Sequence, residues 1–299
     1  MLSRPVLFIL VSALPLFTIA QQSAYAYTFN DYESASFLAK LIEVKVETGL
    51  IASHAGDKDA INYYQGMLKT YWTPNETSSL EERNPQLAST IVSDINSTIA
   101  DARAGNSDKA GSDYFDIAVA LEQAGVVRVD PPSLNNQTVQ AMSIAMVLKE
   151  SLGRYGDAVG SPGLGTTSQN PSGGQSGPIT TSGTSNIVNQ YAYENSKGLA
   201  DEAQQMFGQL ISHHDNKPYS DRIGTYITKY GTDLGNKADT RTVMADVYDG
   251  IFPNFVSGYS LDLESIPEFS SPSVVVFATV ASTIVLSRLY GKKTKSKRF

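Results

Sequence analysis

Apolar residues recur every three to four positions through most of this chain, which is the period of an amphipathic helix. Phe37, Leu38, Leu41, Ile42 and Val44 share a face of a first helix, over residues 31–54, that Asp31 can cap. Gly56-Asp57 makes a turn and caps a second helix over 58–72, and Thr73-Pro74 stops it. Asn84-Pro85 opens a third, in which Leu87, Ile91, Ile95 and Ile99 repeat every four residues until Gly105-Asn106. A fourth spans 113–124, with Asp113, Asp116 and Glu122 on its polar side. Residues 126–133 are expected to be extended and broken at Pro131-Pro132. A long fifth helix over 137–158 carries Met142, Met146, Leu148 and Leu152. Helical patterning resumes over 186–213, with Ala200, Ala203, Met206, Phe207 and Leu210 inward, and again over 219–234 and 239–255. No useful period-2 run occurs, so the expected class is all-α, a helical bundle.

Between the two helical stretches the pattern vanishes. Of the 26 residues from 160 to 185, 21 are Gly, Ser, Thr or Pro, and none is charged. Such a stretch has too little apolar surface to offset its ordering entropy, and it reads as a disordered linker. Gly163-Leu164-Gly165 within it is no phosphate loop, because no strand precedes it and no Lys-Ser/Thr follows.

The ends follow other rules. Arg4, an uncharged apolar run from Pro5 to Ala20, and Ala24-Tyr25-Ala26 have the order of a secretion signal, so residues 1–26 are expected to be removed and Tyr27 to begin the mature chain. An N-terminal anchor is the alternative, but the apolar core is short for a span. Near the other end, residues 273–287 carry no charge, and Arg288, Lys292, Lys293, Lys295, Lys297 and Arg298 follow. The pattern predicts a transmembrane segment over 273–290 and a basic cytoplasmic tail over 291–299. A buried C-terminal helix is the bland alternative; six successive cations favour lipid headgroups. The expected organisation is thus a signal (1–26), two bundle parts (27–159 and 186–257) around the linker (160–185), a stalk with a sorting motif (258–272), the span and the tail.

Pro267-Glu268-Phe269, followed by an apolar segment and a basic tail, resembles the PEFG-CTERM sorting signal of archaeal ammonia oxidisers. In that family an archaeosortase is thought to cut near the motif and pass the new end to a lipid. The resemblance covers roughly the last tenth of the chain, and Ser270 stands where the family has Gly. It implies a cell-surface protein on the outer face of the cytoplasmic membrane, single-pass or lipid-anchored.

Composition agrees with an exterior setting. Between Tyr27 and Pro267 there are 16 Lys and Arg against 29 Asp and Glu, a balance of −13, which disfavours nucleic acid as a partner. Cations, basic proteins or other envelope proteins suit the charge better. Cysteine is absent, which excludes disulfides, thiolate metal sites and thiol catalysis. Asn75, Asn96 and Asn136 begin glycosylation sequons.

Candidate chemistry is sparse, because the chain has only three histidines. At about 100° per residue, Glu43, Glu47 and His54 fall within about 40° on the first helix, where two carboxylates and an imidazole suit a divalent metal, or else form a solvated polar face. His213-His214-Asp215 is a second compact cluster, equally explained by a favourable place for His at a helix C-terminus. Ala55-Gly56-Asp57, Glu82-Arg83-Asn84-Pro85-Gln86-Leu87 and Asn186-Ile187-Val188-Asn189-Gln190-Tyr191 resemble a helical extracellular module found with FTR-type iron permeases and in archaeal surface proteins. That module carries His-Ala-x-His-Pro on its second helix and Glu-Tyr-Gln-Asp later. Here Tyr64 and Met67 occupy the histidine positions, Leu68 replaces Pro, and the later motif is Asn189-Gln190-Tyr191-Ala192. The resemblance therefore implies the scaffold without the metal site. These features lead to an expected non-enzymatic envelope or binding module without a cofactor. The alternative is an extracellular accessory that handles iron or copper.

Overall fold

The computed structural model describes residues 28–162, 164 and 184–262. The expected signal, most of the expected linker, and the expected sorting motif, span and tail lie outside the described residues. Those residues fold as helices in the order α1 (Asp31–Ser53), α2 (Lys58–Tyr71), α3 (Pro74–Glu81), α4 (Pro85–Arg103), α5 (Ser107–Arg128), α6 (Pro131–Leu134), α7 (Gln137–Ala158), α8 (Gln190–His213), α9 (Tyr219–Gly235), α10 (Thr240–Ala245), a π-helical turn (Asp246–Ile251) and α11 (Phe252–Tyr259). Among them there is no strand, only an isolated bridge between Thr184 and Ala238. The all-α expectation holds for this part of the chain. No helix among the described residues is long and apolar enough to cross a membrane.

Local chemistry accounts for most boundaries. Asn30, not Asp31, caps α1: its side chain accepts from Glu33 N and the Glu33 side chain accepts from Asn30 N, a reciprocal capping box. Asp57 caps α2 by accepting from Asp59 N and Ala60 N. Gly56 (φ 94°) and Gly105 (φ 77°) hold left-handed turns beside each other, where Gly56 N donates to Ala102 O at 2.8 Å.

Four boundaries depart from the sequence pattern. Thr73-Pro74 ends α2 as expected but also begins α3, because Thr73 and Glu76 form a second capping box and Pro74 takes the first helical position. The fourth expected helix is longer, Ser107–Arg128, so Val126 to Arg128 are helical rather than extended, and Pro131 then starts α6. Helix α8 begins at Gln190, where Asn189 caps it by accepting from Ala192 N. The expected 239–255 helix is split by the π-helical turn.

The long helices run back and forth between two poles. At one pole, Asn136 Nδ2 donates to Asp31 Oδ2 (3.4 Å), Thr138 Oγ1 donates to Tyr259 O (2.9 Å), and the Arg128 guanidinium sits 3.3 Å over the Phe29 ring. At the other, Val188 N donates to Ala158 O (2.8 Å) and Tyr193 OH donates to Leu234 O (2.8 Å). The first and last described segments therefore leave from one pole, here called proximal. The segment between α7 and α8 departs from and returns to the distal pole.

Two apolar cores share α1. One joins α2–α5 to Phe37, Leu41, Val44 and Ile51. The other joins α7–α11 to Ala35, Ala39 and Val46. Helix α1 is therefore apolar on two sides, as expected of a central helix.

Candidate functional site

Where α1, α2, α7 and α8 meet, side chains from all four build a polar seam between the cores. Its inner part centres on Glu43 and Glu47, one helical turn apart on α1. Both are buried, at 8% and 1% exposure, so the solvated polar face expected of them is not what forms. Helices α7 and α8 cover that face of α1, and their pairing could not be read from the spacing within α1.

Arg154 on α7 organises the inner seam. It pairs with Glu150 one turn earlier and reaches Asp157 at 3.2 Å. It also donates to the Tyr71 hydroxyl at 2.7 Å, and Tyr71 OH donates to Glu150 Oε1 at 2.6 Å. Desolvation opposes the Arg154 charge, but Tyr71 and Glu150 outweigh it and hold its pKa above the usual guanidinium value. Burial, followed by the negative charge of Glu150, holds the Tyr71 phenol well above its usual value.

The two carboxyls shift strongly. Burial pushes Glu43 up to about 8, helped by Glu150 and opposed by Lys40 and Arg154. Burial likewise pushes Glu47 up to about 8, against a hydrogen bond from Asn195 and the charge of Arg154. Burial thus favours the protonated form of both side chains.

The outer seam lies at the distal pole. His54 Nε2 meets Glu194 Oε2 at 2.7 Å, Tyr64 OH donates to the same oxygen at 2.9 Å, and Gln190 Nε2 donates to Glu194 Oε1 at 2.9 Å. Burial raises the Glu194 pKa, but the hydrogen bonds from Gln190, Tyr64 and His54 reverse that and leave it below the usual carboxylate range. Tyr63, Tyr64, Tyr191 and His54 pack ring to ring, with centroids 5.4–6.2 Å apart. Tyr64 is thus a buried donor to a carboxylate.

The sequence candidates are scattered over this frame. His54 leaves Glu43 and Glu47 to the inner seam and takes Glu194 as its partner. His213 is exposed, its Nδ1 3.1 Å from Gln209 O and 2.9 Å from Ser212 Oγ, and His214 is the C-cap of α8. They lie at the opposite end of α8 from Glu194, about 28 Å along its axis at 1.5 Å per residue. Among the described residues, no group of three or more His, Asp or Glu is arranged to hold a metal ion. Asn75 and Asn96 are exposed, while Asn136 is half-buried and caps α7 by accepting from Thr138 N.

Sequence reasoning missed Glu150, Arg154, Glu194, Asn195 and Tyr71. One signal was available: Glu150 and Arg154 are charged residues four apart on a helix whose neighbours Met146, Val147, Leu148 and Leu152 are buried. The arrangement can hold protons and donate hydrogen bonds. Compared with known proteins, the chain matches no protein-family model, no curated protein and no solved structure.

Proposed function

We propose that this protein is an exported helical module held at the outer face of a membrane, where it serves as a non-enzymatic envelope or binding component. The observation that carries this is the shared exit of both chain ends. Asp31 and Tyr259 are linked through Asn136 and Thr138 at the proximal pole, and the sequence continues from there into the signal at one end and the Pro267-Glu268-Phe269 motif at the other. Tethering at that pole turns the distal pole outward, with His54, Tyr63, Tyr191 and Glu194 partly accessible on it. Amphipathic tyrosine surfaces with a few fixed polar groups suit recognition of polar partners.

The apolar segment of residues 273–287, with the cations after it, supports a transient or permanent stop in the membrane and an archaeosortase-type processing partner. The test is mass spectrometry of the protein extracted from membranes of intact, surface-proteolysed cells. The expected result is a chain beginning near Tyr27, accessible from outside and lacking residues 273–299. A chain that keeps Met1 and resists external protease would overturn export. An intact C-terminal peptide through Leu289 would leave export standing and make the segment an ordinary tail anchor.

A metal-handling accessory is the second reading, favoured only by the His54–Glu194 pair. Titration of the protein with iron or copper, with His54→Ala alongside, checks it: a stoichiometric site lost in the variant would promote this reading over the first.

A further inference from the structure

One pair in the inner seam leaves a buried oxygen on each partner without a donor among the described residues. Asn195 on α8 donates from Nδ2 to Glu47 Oε1 on α1, and both side chains are essentially inaccessible to solvent. The second oxygen of each group, Glu47 Oε2 and Asn195 Oδ1, is buried and meets no donor among the described residues. Carboxyl and carboxamide are planar groups of nearly equal size. When one oxygen faces the amide nitrogen in plane, the other faces the amide oxygen. An ionised carboxylate would set two acceptors against each other there, which carries the desolvation penalty of both. A proton on one of them turns the clash into a second hydrogen bond.

We infer that Glu47 and Asn195 form a carboxylic acid–carboxamide pair, in which the acid O–H of Glu47 Oε2 donates to Asn195 Oδ1 and clasps α1 to α8. The ligand of this site is a proton. On α8 the clasp residue Asn195 directly follows Glu194, and on α1 Glu47 stands two turns before His54, so the clasp fixes the spacing of the helices that carry the distal site. Ionising Glu47 loosens that spacing.

Neighbours on every packed element bear on this proton. From α1 there is Glu43, from α2 Tyr63 and Tyr64, from α7 Glu150 and Arg154, and from α8 Asn195 itself. Tyr114 of α5 answers to Lys45 and Glu202 instead. On α4, Arg103 is engaged by Asn62 and Gln65, and Asp101 by Lys109. Helix α6 has no titratable side chain. Burial dominates this balance and keeps the proton on Glu47 to about pH 8, against 4.5 for a free glutamate.

The sign of the pH effect follows. Between those two values Glu47 holds a proton in the folded chain that it lacks in the unfolded chain, so its contribution is complete below pH 4.5 and is lost as pH rises through about 8. Glu47→Gln reproduces both hydrogen bonds without a titrating group. In urea unfolding of the full-length protein, the ratio of the variant's folding constant to that of the unmutated chain should climb by about tenfold per pH unit across this window and then level off. A flat ratio would overturn the inference, and so would a variant that fails to fold, since Gln keeps the pair. Infrared spectroscopy of the unmutated chain with labelled glutamate gives an independent check at pH 6. Protonated-carboxyl absorbance that Glu47→Gln diminishes supports the pair. Absorbance wholly accounted for by Glu43→Gln means that Glu47 is ionised, with water or a cation facing Oε2, and defeats it.

Discussion

The two cores that share α1 are built from different materials. Around α2–α5 the interior is mostly aliphatic: Leu80, Ala88, Ile91, Ile95, Ile99, Ile117 and Leu121 bring no polar atom with them. The buried tyrosines there, Tyr64 and Tyr71, turn their hydroxyls outward to Glu194 and Glu150 in the seam. Around α7–α11 the tyrosines keep their hydroxyls inside. Tyr155 OH donates to Ala238 O, Tyr193 OH donates to Leu234 O at 2.8 Å, Tyr230 OH meets Ser151 Oγ at 2.8 Å, and Tyr259 OH meets Ser220 Oγ at 2.9 Å. Each of these bonds joins different segments. An aliphatic stripe tells a helix which side to bury and leaves its sliding to shape alone, whereas a buried hydroxyl with one acceptor also fixes its height along the neighbour. The α7–α11 side needs that information more, because its last arm is interrupted by a π-helical turn and has no single uniform stripe.

The largest effect that tests this contrast is loss of volume on the aliphatic side. Ile91 is fully buried, so Ile91→Ala should lower the free energy of unfolding by about 2–5 kcal/mol through lost transfer energy and the cavity left behind. Val92 beside it is 37% exposed, and Val92→Ala should stay within about 0.5 kcal/mol. Urea unfolding measures both. Because α1 belongs to both cores, Ile91→Ala should move a single transition reported alike by probes in either core. Two separated transitions would mean that the cores are independent and that the comparison concerns two domains.

A smaller effect isolates the hydroxyls. Ser151 has one hydroxyl hydrogen and gives it to Ser196 O at 2.7 Å, so Tyr230 must be the donor to Ser151 Oγ. Tyr230→Phe removes that bond with almost no change of volume and should cost about 1–2 kcal/mol. Combined with Ser151→Ala, the loss should be less than additive, because the two side chains share the interaction. Strict additivity would reduce the buried hydroxyls to incidental decoration of an ordinary apolar core, and the contrast with the α2–α5 side would fail.

How much of this was legible in the sequence follows the same division. The stripe of α4 gave its helix directly, since Leu87, Ile91, Ile95 and Ile99 all point into one core. Helix α1 was legible as a helix but only on one side: Ala35, Ala39 and Val46 look unremarkable until α7 and α8 cover them. Helix α3 was hidden because Pro74 reads first as a stop, although Thr73 and Glu76 already had capping-box spacing. In the seam, the shared face of Glu43 and Glu47 was visible and their burial was not. Burial depends on Glu150, Arg154 and Asn195, which approach from distant parts of the chain, and Glu194 reaches His54 across 140 residues. Periodicity within a helix carries no information about such partners.

The smallest effect should not distinguish the two sides at all, which makes it the control. Asn84 caps α4 on the aliphatic side by accepting from Leu87 N at 3.0 Å, and Asn189 caps α8 on the tyrosine side by accepting from Ala192 N at 3.2 Å. Each satisfies a backbone donor that the first turn of a helix leaves open. Asn84→Ala and Asn189→Ala should each cost about 1 kcal/mol, the two values agreeing within about half of that. Caps act on the helix they begin, so the chemistry of the core behind them should not matter. If Asn189→Ala cost several times more than Asn84→Ala, the start of α8 would be holding more than its own first turn. That start carries Tyr191, Glu194 and Asn195, so the excess would measure how far the polar seam depends on the exact placement of α8, and the difference between the two sides would then extend from their cores to their helix ends.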